Sequence, residues 1–410
     1  MNIQHPVYDY VFLSDPQSQA TYLIELSGRV RLYQEDDVCG LPEKRKEQDL
    51  PCLFQIRDFL SGSITRSWRE GWLPILDLQE PSGKCLSLLC NADELWVHGE
   101  QTAHSYPTGE KLPEEKWCSG VEKITRYWQS WLNSGLMLPD LHPHLDAAWR
   151  SSLVQTRCAF QGRHPKYGVE KYAEYRADAF PPGLISLCDT LNLFKHYQEA
   201  RLLAEYYLQR FVRADGSLDY YGPAMSEYGE ILQLFAELAD APGGTEWLQQ
   251  QLPQIRRMLF YLYDCFNAWM HPGSDSGLCY GSPEADTRDD RGVYLHNNMQ
   301  ICRGFLSMLP WLKKLSEPEM YMEAAGISDL IRRRLQKVLD TYRGRFPFMP
   351  YRLEQTGPIT SFTDSLDHAY ANYRYYPEML ASGLLTAEDS LKIIVAREKL
   401  GGEHCGMTVL

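Results

Sequence analysis

Residues 114–132 read EEKWCSGVEKITRYWQSWL, and here the chain changes from one periodicity to another. Trp117, Val121, Ile124, Trp128 and Trp131 recur at alternating four- and three-residue steps, which gathers them near one face of a helix. On the N-terminal side the runs are short and apolar or alternating: 21–26, 29–33, 74–78, 86–89 and 94–98, separated by Gly, Pro, Asp and Asn. That spacing predicts a small antiparallel β-sandwich over residues 1–112. The charged stretch 35–49 reads as an exposed loop, and 113–140 as a linker helix.

On the C-terminal side the helical period persists. After a break at 139–143, helices are expected at about 140–160, 181–194, 196–213, 223–239, 245–269, 293–314, 317–344, 362–382 and 386–400. Segments rich in Gly, Pro, Asp and Asn connect them, and no strand-like run intervenes. Helices joined by alternating shorter and longer loops suggest stacked hairpins. The fold class expected is therefore mostly α, with an (α/α)6 toroid over 141–410. A closed ring of six hairpins needs twelve helices, and the stretch GGEHCGMTVL at 401–410 adds none. The expectation is a C-terminally incomplete toroid; an open helical array is the alternative.

Composition narrows the function. Across 410 residues, 44% are hydrophobic and 23% charged, as in an ordinary globular protein. The 26 Tyr and 10 Trp can serve as platforms for sugar rings or simply fill a large core. A net charge of −13, with a single notable basic run at Arg332, Arg333 and Arg334, argues against nucleic acid and anionic membrane as partners. The 11 cysteines include no metal-type pair and read as reduced, buried thiols. The N-terminus has no signal-peptide pattern, and no run is long enough to span a membrane, so a cytoplasmic protein is expected.

Four clusters could carry chemistry, each at or near a helix start. The first is 281–290, GSPEADTRDD, followed by Tyr294, His296, Asn297 and Asn298. Here Glu284 is the candidate proton donor, with Asp286 and Asp289 close enough in sequence to raise its pKa by like-charge repulsion. The alternative is an acidic surface loop capping the helix that follows. The second cluster pairs Arg176 with Asp178, before the helix opened by Pro181 and Pro182, as a clamp for sugar hydroxyls or a structural ion pair. The third contains Asp215, Gly216, Ser217, Tyr220 and Tyr221, leading to Glu227 and, one turn on, Glu230. Two acids on one helix face imply solvent or a functional cavity. The fourth, 364–376, is dense in polar and aromatic groups and can line a sugar subsite or a tyrosine-rich interface. No His/Cys/Asp arrangement has metal-ligand spacing, and no cofactor motif is present.

The segments YRADAFPP (175–182), DGS (215–217), EYG (227–229) and SPEAD (282–286), in that order between hairpins, resemble the six-hairpin glycosidase superfamily, the glucoamylase-like (α/α)6 toroids. The resemblance covers about 140–410 and, more loosely, the sandwich. It implies an inverting glycoside hydrolase with a carbohydrate substrate and no cofactor. Glu284 would be the general acid, with Arg176, Asp178, Tyr220, Tyr221, Glu227, Asp286, Tyr294 and Asn297 binding substrate. The general base would come from a late hairpin beyond Leu410, with Asp367 and Glu403 as poor substitutes inside the chain. A polysaccharide lyase using Tyr294, His296, Asn297 and Arg303 and a non-catalytic carbohydrate-binding protein are the competing readings.

Overall fold

The computed structural model describes residues 10–15, 18, 20–25, 29–34, 46–50, 65–99, 102–106, 108–138, 142–165, 178–220, 225–268, 276–283, 291–404 and 407–408. Contacts divide the chain into two compact units, Met1–Asp178 with Ser186–Tyr206, and Ala179–Ile185 with Tyr207–Leu410.

The first unit holds two antiparallel meanders. Strands β1 (Tyr10–Ser14), β2 (Ala20–Glu25), β3 (Val30–Gln34) and β4 (Lys46–Leu50) form one sheet in sequence order. Strands β5 (Thr65–Arg69), β6 (Leu73–Gln79), β7 (Cys85–Asn91), β8 (Glu94–His98), β9 (Ala103–Tyr106) and β10 (Lys111–Leu112) form the other. Side chains alternate across a strand, so each central strand of the second sheet supplies two cores. Leu76, Leu78, Leu88, Cys90, Leu95 and Val97 meet Leu13, Tyr22, Ile24, Val30 and Leu32 of the first sheet. That is the expected sandwich. The intervening Ile75, Leu89 and Trp96 point the other way, onto helices α1 (Glu114–Asn133) and α2 (Pro143–Cys158).

Helix α1 is therefore a packed layer, and the compact unit runs past the boundaries at 112 and 140. Its buried face is Trp117, Gly120, Ile124, Trp128 and Leu132, with Val121 and Trp131 half-buried at the edges. Gly120 permits the close approach, because a Cβ there would lie 2.4 Å from the Trp96 ring. The reading of 35–49 as an exposed loop needs correction: 46–49 belong to β4, which pairs with β3 from Val30↔Leu50 to Gln34↔Lys46. The polar sequence KEQDL concealed it, yet charge is what an edge strand uses to resist further pairing. A short hairpin of β11 (Phe160–Gln161) and β12 (His164–Pro165) also interrupts the helical series.

Helices α3 (Pro181–Leu193) and α4 (Tyr197–Phe211) contribute residues to both units. In the second unit, α5 (Met225–Asp240) packs on α7 (Leu295–Lys314). Helices α6 (Gly244–Ala268) and α8 (Pro318–Tyr342) lie against α5 and α7 respectively and against each other. A broken helix follows: α9 (Leu366–Tyr370), a π-helical turn at Ala371–Tyr375, and α10 (Tyr376–Ala381), which also packs on α7. Pro377 explains the break, since it offers no N–H to the carbonyl four residues back and its ring crowds that carbonyl. Helix α11 (Ala387–Lys399) and a hairpin of β13 (Glu403–His404) and β14 (Met407–Thr408) complete the described chain. It is mostly helical with two antiparallel sheets.

Candidate active site

The site begins at a helix crossing. A Cβ on Gly229 of α5 would lie 2.0 Å from the Gln300 carbonyl oxygen of α7, and one on Gly304 would lie 2.5 Å from the Gly229 oxygen. Only backbone against backbone fits there. The two helices run in the same direction, because beyond the crossing Asp240 and Lys314 line one cavity of about 490 Å³. Before the crossing, their first turns converge on the π-helical turn.

Four charged groups meet at that convergence. Arg374 of the π turn bonds the fully buried Glu227 through Nη2 and Glu378 through Nε, the latter at 3.0 Å. The Ser226 hydroxyl donates to Glu227 Oε2 at 3.1 Å and lies close enough to Glu378 to favour its charged form. Glu230 completes the group. Three carboxyls around one guanidinium cannot all ionise cheaply away from water. Burial, aided by Glu227, pushes the Glu378 carboxyl up to about 7 against the pull of Arg374. Burial and the nearby Glu378 and Glu227 push Glu230 upward too, with Arg374 and Arg303 opposing.

His296, on the first turn of α7, joins this group to Pro283. Its Nε2 donates to the Pro283 carbonyl at 3.2 Å and lies 3.9 Å from Glu378 Oε2. The ring stacks on Tyr375 at 4.5 Å. Burial and then Arg374 depress its pKa to about 3, so the imidazole is neutral, and the bond to Pro283 puts its proton on Nε2. Asn297 Nδ2 donates to the Ser282 carbonyl at 2.8 Å. One residue earlier, Gly281 and Gly292 exchange two backbone hydrogen bonds of 2.9 and 3.0 Å, closing the neck of the loop between them. The start of α7 is held by Leu295 N to Tyr351 O at 2.9 Å and Leu353 N to Val293 O at 3.1 Å.

Comparison with protein-family models, curated proteins and solved structures gives no match. The site therefore stands on its own geometry.

Of the residues singled out in the sequence, Glu284, Asp286, Asp289, Arg176 and Tyr221 lie outside the described residues. Glu227, Tyr294 and Asn297 come together around His296 and Arg374, but they are 0%, 1% and 2% exposed. They are core residues at the first turns of α5 and α7 rather than a solvent-facing surface. Tyr220 is 7% exposed and packs on Phe180. Asp178 belongs to the first unit, where it accepts from His164 Nε2 at 3.2 Å while His164 Nδ1 meets Tyr206 Oη at 2.8 Å. Asp215 caps its own turn by accepting from Ser217 N at 3.0 Å, and Gly216 takes φ +86° where a Cβ would strike Arg257 of α6. Asp364 and Glu403 engage His368 and Arg397.

Arg374 and Glu378 were not singled out as an ion pair. The available signal was an Arg and a Glu four apart with a proline between them, in a helix already dense in tyrosine. Among the described residues no set of His, Cys, Asp and Glu could hold a metal ion, and no helix is long and apolar enough to cross a membrane.

Proposed function

We propose that the protein is an inverting glycoside hydrolase, built on an (α/α)6 toroid, acting on an oligosaccharide or polysaccharide. One observation carries the reading: the neck of the acidic loop is tied by Ser282 and Pro283 to Asn297 and His296, beside a carboxyl that titrates near neutrality. Glu284, the next residue after Pro283, is the general acid of this reading. Inverting hydrolysis uses two carboxyls about 6.5–9.5 Å apart, one to protonate the leaving oxygen and one to activate water on the opposite face of the sugar.

Two further features support it. Helices α5, α7 and α10 pack in series with α6 and α8 behind the first two, as the two layers of a toroid would. His296 Nδ1, Asn297 Oδ1, Gln300 Oε1 and Glu378 Oε2 are buried acceptors without a hydrogen-bond donor among the described residues, an environment suited to hydroxyl groups and water. The lyase alternative loses support, because Tyr294 and His296 are buried and a proton-abstracting base must touch its substrate.

The test is a panel of oligosaccharides and polysaccharides, read for new reducing ends and for the ultraviolet absorbance of unsaturated uronates. Reducing ends alone, lost in Glu284→Gln, are expected. Absorbance rising with them would make the protein a lyase. Binding without turnover would make it a carbohydrate-binding protein.

A further inference from the structure

We infer that the wedge between α5 and α7, beyond their crossing, binds a short peptide with free termini, its carboxylate on Arg303 and its ammonium on Asp240. The wedge has a simple origin. The helices touch backbone to backbone at Gly229 and Gly304, and they part as they run on toward Asp240 and Lys314. The space between them is the cavity of about 490 Å³, a volume within the roughly 300–1,000 Å³ of small-molecule sites. Ala236, Pro310 and Trp311 give it an apolar wall, and Arg303, Ser307 and Asp240 line it with polar groups. All of them belong to the second unit. Glu227 and His296 lie at the other end, on the first turns of the same helices.

Two of the four charged groups in the wedge are already engaged. Glu237 accepts from Gln233 Nε2 at 2.5 Å. Lys314 Nζ donates to Thr245 Oγ1 at 3.0 Å and lies 4.4 Å from the centre of the Trp311 ring. Arg303 and Asp240 form no hydrogen bond or ion pair with a described residue. Glu230, which feels the charge of Arg303, is pushed toward its neutral form by burial and by Glu378 and Glu227, so it does not offset the guanidinium. The two unpaired charges sit at opposite ends. Arg303 adjoins Gly304 at the crossing, while Asp240 is eleven residues past Gly229, or about 16 Å along α5. The last carbonyls of both helices surround Asp240's end, which favours a cation there.

That polarity selects the ligand. A phosphate dianion would meet Glu237 and Asp240, and a neutral ligand would leave both charges unpaired. A zwitterion pairs both. An extended peptide advances about 3.3–3.6 Å per residue, so three or four residues bridge the two groups once the reach of both side chains is allowed for. The middle of the wedge fits a peptide backbone. Pro310, inside α7, offers no N–H to the Leu306 carbonyl, which leaves that acceptor without its helical donor beside the Ser307 hydroxyl. The planar guanidinium of Arg303 suits a terminal carboxylate, which it can hold through two parallel hydrogen bonds. The inference does not depend on the hydrolase reading.

The experiment titrates the full chain with trialanine, trileucine and tetra-alanine, by calorimetry and saturation-transfer NMR. Saturable one-to-one binding in the micromolar to millimolar range is expected. Amidating the C-terminus or acetylating the N-terminus of the peptide should each weaken binding by about tenfold. Arg303→Gln should weaken the free peptide by a similar factor and leave the amidated one unchanged. Asp240→Asn should do the same for the free and the acetylated peptide. Ser307→Trp, which fills the wedge, should abolish binding. Circular dichroism establishes that each variant is folded, and the end-blocked peptides test the charge pairing on the native chain without any variant. No binding at millimolar peptide, or equal binding of free and doubly blocked peptides, overturns the inference. Binding unchanged in a folded Ser307→Trp overturns it by placing the peptide elsewhere. Maltotriose or cellotriose binding in the wedge more tightly than any of the peptides overturns it in favour of a sugar site.

Discussion

Glu378→Gln tests the buried cluster through stability alone. Glutamine keeps the shape of the protonated acid and cannot ionise. In the fold the Glu378 carboxyl titrates near 7, against 4.5 for an ordinary glutamate. The folded chain thus holds a proton over a range where the unfolded chain has released it. Stability contributed by this group therefore falls as pH rises from about 4.5 through about 7. Each pKa unit corresponds to about 1.4 kcal/mol, so the penalty grows by about 2–3 kcal/mol between pH 5 and pH 8. The variant escapes it. Its stability relative to the native chain should rise by that amount across the interval, whatever the offset at pH 5. The titration of His296 occurs in both chains and largely cancels, whereas Glu230, which Glu378 helps to push upward, is eased in the variant. Urea unfolding followed by far-ultraviolet circular dichroism at pH 5, 6, 7 and 8 supplies the curve. A difference that stays flat within about 0.5 kcal/mol would refute the raised pKa and the crowding of charge behind it.

Three other outcomes are expected. Gly229→Ala should destabilise by about 3 kcal/mol or more, the reverse of the ~1 kcal/mol gain usual in a helix, because its Cβ would meet the Gln300 carbonyl at 2.0 Å; an unchanged or higher melting temperature would contradict the crossing. His296 should stay neutral at pH 5: its pKa is depressed to about 3, so the stability it contributes is whole above about 6.5 and declines as pH falls through about 3, and a histidine ring signal titrating above pH 5 in the assigned NMR spectrum would exclude this. Glu199→Ala should cost about 3–5 kcal/mol by urea unfolding, since it removes the acceptor of both Trp131 Nε1 and the buried Arg157, and adding Arg157→Met should recover most of the loss.

Much of the architecture was legible because burial imposes a period. The alternating runs at 74–78, 86–89 and 94–98 are strands β6, β7 and β8, and both of their faces are buried, which is why so few polar residues interrupt them. The helix bounds were readable from turn residues such as Pro181, Gly216 and Gly243. Strand β4 was not, since an edge strand needs no apolar alternation. The candidate site was half legible. Tyr294, Asn297 and Glu227 stood out as polar groups at helix starts, yet their burial has no local signature.

Sequence by itself determined the strand runs and the helical series, since each depends on residues within a turn or two of one another. Tertiary structure alone decided which acids share a counterion. Glu227 and Arg374 are 147 positions apart. They meet because Gly229 and Gly304 let α5 and α7 touch backbone to backbone, and because Pro377 widens one turn of the last long helix. Pairing at that separation follows from the packing of helices, and no period within any one of them encodes it.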